Sequence, residues 1–539
     1  MASTILKTAS LSLLVALLGC SEQASEQPKL EKTTGVSLSN VKQHIKTLAS
    51  DDFEGRGPLT HGEVKTVGYL ADQYKAMGLT GAYKNKFLQP VEMAMITADQ
   101  NMQLKMGDLT FKAGTDFTAR TQQLQPLIDV RDSDVVFVGY GINAPEYNWN
   151  DYKNIDVTGK TVVMLVNDPG FATQDDDLFT GNAMTYYGRW TYKYEEAARQ
   201  GAKAVFIVHE TAPAAYPWGV VESSNTGTKY TLMDNNLNAS ELPVMGWLTL
   251  NATEQLFKSA NLSYQQLKQE ALNKNFKATA LNLQANLSFK NEVSHAKSHN
   301  VVAQITGSES PDEYVVISAH WDHFGTKQTD SGPKIYNGAV DNASGTAATL
   351  EIARIMSKIN RAHPFKRSII FANFTAEETG LLGSAQFASG AVVPTKKIVG
   401  LLNIDGMNVL DATDYILQYG KDLSTMETYL AKAAKKQGRE VKMDPRPQNG
   451  LFFRSDHFSL AKQGVPSLLF MSLGDTDPDY IVNKYHKEGD DYSPDWSLGG
   501  VEQDINLIVD IATQLANNGD WPKWTSESDF KAKRAEDKK

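Results

Sequence analysis

The chain has a single cysteine, Cys20, among its 539 residues, so no intrachain disulfide can form. It has no excess of positive charge: the net charge of −10 excludes the basic surface that nucleic-acid binding by counterion release requires. Beyond the first twenty residues no apolar run approaches the roughly 18–20 residues needed to cross a bilayer, so the body of the chain is expected to be soluble and at most tethered. What remains is ordinary globular composition, 41% hydrophobic and 22% charged. The length allows roughly three or four domains and a core large enough to fold without disulfides.

The lone cysteine is placed informatively. Before it the chain reads Met1-Ala2-Ser3-Thr4-Ile5-Leu6-Lys7, followed by the apolar stretch from Leu11 to Leu18. A basic start and about 7–15 apolar residues form a secretory-signal pattern. The ending Leu17-Leu18-Gly19-Cys20 resembles the lipobox of bacterial lipoproteins. That resemblance implies a signal peptide over 1–19, lipidation of Cys20, and export to the bacterial cell envelope with Cys20 as the only membrane attachment. Residues 20–35 then read as a flexible tether. An ordinary signal peptide, a chance cysteine and secretion form the alternative.

Val67, Leu70, Ala71, Tyr74 and Met77 recur at helical spacing with Gly78 as a cap, and an earlier helix is expected over Val41–Leu48. Between about Ile128 and Phe289 the texture changes to short strand-like runs around Val135, Thr161, Ala204 and Leu242. There Leu281, Leu283, Ala285, Leu287 and Phe289 alternate at period two, and one helix is expected near Trp190. This predicts a β-rich inserted domain. Beyond Asn300, strands at Tyr314–Ala319, Ser368–Phe374, Val399–Ile404, Tyr415–Gln418 and Ser467–Met471 alternate with helices. The pattern predicts an α/β fold, a mixed and largely parallel central sheet flanked by helices. The charged stretch from Asp520 reads as a loosely attached tail.

Several ionisable residues follow the apolar strands directly. Tyr314–Ala319 leads into His320-Trp321-Asp322, Ser368–Ala376 into Glu377-Glu378, and Val399–Ile404 into Asp405. Sites in open α/β sheets form at the carboxyl ends of strands, so these groups are placed to converge. Asp341 lies in a glycine-containing loop before a helix, and His486 in a late loop. Imidazoles and carboxylates without a thiol suit zinc or another divalent ion. Each residue alone has a plainer reading: Glu377 and Glu378 as a helix's acidic first turn, Asp341 as an N-cap, Asp405 as a turn residue, His320 as a structural histidine. Spacing does not choose between the two.

The stretches Ser318-Ala319-His320-Trp321-Asp322-His323, Gly338-Ala339-Val340-Asp341-Asn342-Ala343-Ser344-Gly345, Thr375-Ala376-Glu377-Glu378-Thr379-Gly380, Asn403-Ile404-Asp405 and Tyr485-His486 resemble, in order, those of the co-catalytic dizinc aminopeptidases. That family includes aminopeptidase Y, glutamate carboxypeptidase and the inert transferrin receptors. Ser50-Asp51-Asp52-Phe53-Glu54-Gly55-Arg56-Gly57 resembles a segment preceding the family's catalytic core. The resemblance implies a zinc-exopeptidase fold and two zinc ions per chain: His320 and Asp405 on one, Glu378 and His486 on the other, Asp341 bridging. It implies Glu377 as the general base and Asp322 as the acceptor of a hydrogen bond from the His320 ring. Tyr485 and Arg454 are candidates for substrate contact; His323 and His457 read as structural neighbours. Asp134–Ile142 and Glu195–Val205 resemble a protease-associated domain. The expected organisation is peptidase domain over 36–127 and 291–518, the insertion over 128–290, and the tail over 519–539. Expected function is an exported metallopeptidase acting on peptides, an aminopeptidase with carboxypeptidase or other amidohydrolase activity as the alternative. A metal-free binding protein is the non-enzyme alternative, disfavoured because every ligand position is filled.

Overall fold

Val315, Ile317 and Ala319 face one side of their strand and Val316 the other, and this period-two alternation sorts the central sheet into two cores. The first set packs with Ile369, Phe371, Leu402 and Ile404 under helices Gly345–Ala362 and Gly499–Asn517. The second packs with Ile370, Ala372, Phe374 and Leu401 against Phe387 and Leu460 on the opposite face. A computed structural model describes residues 35–536 apart from 331, 472 and 527. The expected signal peptide, Cys20 and nearly all of the tether lie outside the described residues.

Four neighbouring strands, Arg367–Phe374, Ser310–His320, Ile398–Ile404 and Ser467–Met471, run parallel. Antiparallel strands flank them: Thr279–Ile305 and Leu88–Ala98 on one side, Tyr415–Tyr419 on the other. The sheet is therefore mixed with a parallel centre. Strands buried on both faces read as continuous apolar runs, which is why the sequence marked them. Because the four are parallel, their carboxyl ends lie along one edge, where His320 ends its strand and Asp405 follows the next.

A second sheet joins Leu127–Phe137, Thr161–Leu165, Ala204–His209 and Val244–Thr249 in parallel, with helices Trp190–Arg199 and Leu250–Ser259 beside it. It extends upstream of residue 128: Phe117–Arg120 pairs with Val244–Thr249, and Gln103–Met106 with Thr279–Ile305. These four-residue strands are too short for periodicity to reveal. The 27-residue strand Thr279–Ile305 pairs with Leu127–Phe137 along its first half and with Leu88–Ala98 and Arg367–Phe374 along its second. One strand thus serves both sheets, with no linker at residue 290.

The chain after residue 519 corrects the expected loose tail. The Trp524 Nε1 donates to Gly464 O at 2.8 Å and the Arg534 Nη2 to Ile398 O at 2.8 Å. Trp524 and Phe530 are buried with Phe452 and Phe458. Two aromatic anchors among many charges outweigh the average polarity of the segment.

Candidate metal centre

His320 is buried, and its Nδ1–H donates to the Asp322 backbone carbonyl at 3.2 Å. A carbonyl only accepts, so this contact places a proton on Nδ1 and turns Nε2 toward the carboxylates. That Nε2 lies 3.1 Å from Asp405 Oδ1 and 3.3 Å from Asp341 Oδ1. The other Asp341 oxygen, Oδ2, lies 3.2 Å from His486 Nε2, which is also 3.3 Å from Glu378 Oε2. All five expected ligand positions therefore meet, with the two Asp341 oxygens turned toward different imidazoles.

The electrostatics match this crowding. Burial alone would lower the His320 pKa, but Glu377, Asp341 and Asp405 outweigh it and hold the imidazole well above its usual value. Burial would raise Asp341, but His320 and His486 hold it well below the ordinary carboxylate range. Glu377 and Glu378 are pushed well above theirs, by burial first and then by neighbouring carboxylates. Among the described residues no lysine or arginine pairs with Asp341, Glu378 or Asp405. A carboxylate cluster faced at close range by imidazoles is a donor set suited to zinc.

The backbone holds these groups by specific contacts. Val340 N and Asp341 N each donate to Asp490 at 3.0 Å, tying the Asp341 loop to the chain just after His486. Gly338 has φ +54°, and a Cβ there would come within 2.5 Å of the His323 ring, so the turn requires glycine. The Asp322 carboxylate accepts from Glu377 N at 3.1 Å and Glu378 N at 3.4 Å, while its distance to His320 Nδ1 is 3.8 Å. This corrects the expected ring contact: the carboxylate of Asp322 grips the Glu377–Glu378 loop, and its backbone carbonyl orients the imidazole.

Residues 300–507 match peptidase family M28. The match runs from the end of Thr279–Ile305 to about midway along helix Gly499–Asn517, and so includes every residue of the cluster. A probable glutamate carboxypeptidase of Arabidopsis thaliana is 37% identical over 122 residues, covering 22% of this chain and 16% of that protein. Aminopeptidase NAALADL1 of Mus musculus is 34% identical over 122 residues, 22% of this chain and 15% of that protein. The chain thus spans under a fifth of either relative's length. Among solved structures, an aminopeptidase from Aneurinibacillus sp. strain AM-1 superposes with TM-score 0.50 and 23% identity, covering 91% of this chain and 96% of that one. This is a likeness of fold.

Four residues of the site were not assigned to it from sequence. His323, read as a structural neighbour, places Nδ1 at 2.6 Å from Glu378 Oε1, opposite the oxygen that faces His486. Burial holds its pKa down to about 3, so the ring is neutral and Nδ1–H donates. Asp490, which the sequence did not single out, is buried and accepts from Val340 N and Asp341 N. Asp456, also buried, is raised to about 7 by burial. Arg56 is wholly buried and donates to the carbonyls of Leu48, Trp321, Asn337 and Gly338, joining the segment before the core to the loops of His320 and Asp341. Arg56 and His323 carried a signal in sequence, as parts of Ser50–Gly57 and Ser318–His323; Asp490 and Asp456 did not.

The substrate candidates separate. Tyr485 stacks on the His486 ring at 3.8 Å and is 42% exposed, at the mouth of the site. Arg454 is exposed and contacts none of the five ligand candidates; it lies beside Arg189 and Tyr216.

His457 is buried against the Phe452 ring at 4.6 Å, and burial holds its pKa down to about 3. An unfolded imidazole titrates near 6.5. Between these values the unfolded state binds the extra proton, so this contribution to stability is complete above pH 6.5 and falls as pH drops. The loss from pH 6.5 to 5 is about 2 kcal/mol for this ring. His457→Phe is expected to flatten the urea-measured stability across that window by this amount relative to the parent; parallel curves would refute it.

Proposed function

We propose that the chain is a zinc-dependent peptidase that releases N-terminal residues from peptides. One observation carries the metal reading: the two oxygens of Asp341 are turned to His320 and His486, with Asp405 beside the first and Glu378 beside the second. His320 and Asp405 would hold one zinc, Glu378 and His486 the other, and Asp341 would bridge. His323 donates to the remaining Glu378 oxygen, which leaves the oxygen facing His486 for a metal. When bound, such a pair of ions acidifies a water and polarises the scissile carbonyl.

The chain's own residues supply the rest. Glu377, held by its backbone N–H on Asp322, takes the proton of the attacking water and returns it to the leaving amine. Asp490 and Arg56 hold the backbone of the Asp341 loop. We also propose that the inserted region is a protease-associated domain that shapes access. Its support is the packing of Tyr186 on Phe453 and Phe458, next to Asp456.

Elemental analysis is expected to find two zinc ions per chain, and chelation to abolish turnover. In a panel of free-amine, N-blocked and free-carboxylate peptides, only those with a free amine are expected to be cleaved. Cleavage of N-blocked peptides alone would replace the aminopeptidase reading with the carboxypeptidase one. We further propose attachment to the bacterial envelope through lipidated Cys20, on the strength of Leu17-Leu18-Gly19-Cys20. Cys20→Ala is expected to move the protein from the membrane pellet to the soluble fraction; an unchanged pellet fraction would refute the anchor.

A further inference from the structure

The seam between the inserted region and the peptidase core holds two arginines, Arg189 and Arg454, that form no ion pair among the described residues. Arg189 immediately precedes helix Trp190–Arg199 and is 7% exposed, yet its Nε has no hydrogen-bond partner among the described residues. Its Cδ lies 3.5 Å from where a Cβ on Gly450 would stand. The seam is well built at this point. Met184 N donates to Pro447 O at 3.2 Å, Asn182 Nδ2 to Gln448 Oε1 at 3.3 Å, and the Tyr186 ring packs on Phe453 and Phe458. Arg454, directly after Phe453, is exposed and stands close enough to repel the Arg189 charge. Tyr216 faces both.

Two other buried arginines are paired with carboxylates, Arg367 with Glu313 at 2.6 Å and Arg439 with Asp504 at 2.7 Å, and Arg56 is held by four backbone carbonyls. Among the described residues no carboxylate forms an ion pair with Arg189. Burial, with Arg454 adding to it, lowers its pKa to about 10, so it remains charged at neutral pH. Burying a guanidinium beside a second one is unfavourable unless an anion joins them. Two adjacent planar donor sets suit a carboxylate, which each can bind through parallel N–H···O bonds.

The pair also stands next to the proposed metal centre. Ser455 Oγ accepts from Asn403 Nδ2 at 2.7 Å, and Asn403 is two residues before Asp405 on the same chain segment. Asp456, one residue further, acts electrostatically on Glu377.

We infer that Arg189 and Arg454 form a carboxylate-binding subsite through which the protein selects short peptides bearing an acidic side chain or a free terminal carboxylate at the seam. The selection rests on the peptidase reading; the binding does not. Two contributions meet in it, Arg189 from the inserted region and Arg454 from the peptidase core, so the insertion takes part in specificity.

The test uses the full chain and peptides matched in pairs: Glu against Gln at each position, and free against amidated C-terminus. One pair is expected to show a kcat/KM ratio of about tenfold or more in favour of the carboxylate, mainly through KM. Which pair responds distinguishes a side chain from the terminus. Arg454→Gln and Arg189→Gln are each expected to bring that ratio close to one. If Arg189→Gln fails to fold, the exposed Arg454 position carries the test. Glutarate is the probe independent of turnover: it is expected to raise the Tm of the parent and to do so much less for Arg454→Gln. No acidic preference in the parent, or a preference unchanged in Arg454→Gln, would overturn the subsite. If no peptide is cleaved, the peptidase reading fails; Arg454-dependent stabilisation by glutarate would then still support the subsite, and its absence would overturn it.

Discussion

Glu377→Gln is expected to lower turnover by about 10²–10⁴-fold while leaving metal content unchanged. The side chain is half-buried, within electrostatic reach of His320 and Asp405, and no hydrogen bond of the described residues engages its carboxylate. What fixes its place is the backbone, through Glu377 N on Asp322. Gln keeps the shape and the backbone contact but cannot accept a proton. The variant therefore separates proton transfer from metal holding, which the adjacent Glu378 performs in the proposed mechanism. Full turnover in a variant with normal metal content would remove Glu377 from the mechanism; loss of metal would move it among the ligands.

Asp341→Asn is expected to be the more severe change in metal content. The aspartate offers an oxygen to each half of the centre, at 3.3 Å from His320 Nε2 and 3.2 Å from His486 Nε2. Asparagine retains one oxygen and replaces the other with an N–H donor that cannot bind a cation. One metal position then loses its anionic oxygen, and the negative charge shared between the two ions is gone. Since changes to groups that merely orient metal ligands cost about 10–100-fold in affinity, a lost bridging ligand is expected to cost at least about 100-fold for one of the two ions. Elemental analysis after dialysis should fall from two ions per chain to one or none, with turnover falling in step. Two tightly held ions in Asp341→Asn would refute the bridge.

Sequence and structure agree most closely where burial alone decides the outcome. A run such as Tyr314–Ala319 is apolar because both faces of its strand are covered, so the position of His320 at the strand's end was readable without coordinates. The same holds for Asp405 after Ile398–Ile404. Asp322 shows the limit. The family resemblance implied a contact with the His320 ring, but the Asp322 carboxylate holds Glu377 N and Glu378 N, 55 and 56 residues away. Tail residues Trp524 and Phe530 show another: averaged polarity concealed two side chains able to dock a segment.

By itself, the sequence determined that this chain builds an α/β sheet with ionisable residues at its strand ends, and which residues those are. It did so because hydrophobic periodicity reports burial, and burial is a property of each strand with its two faces. Only the tertiary structure decided which groups touch. It brought Arg56 to Trp321 and Gly338, Asp490 to Asp341, His323 to Glu378, and Arg189 to the segment leading into Arg454. Each pairing joins residues remote in the chain through the packing of several elements at once, and no local pattern of polarity encodes a partner.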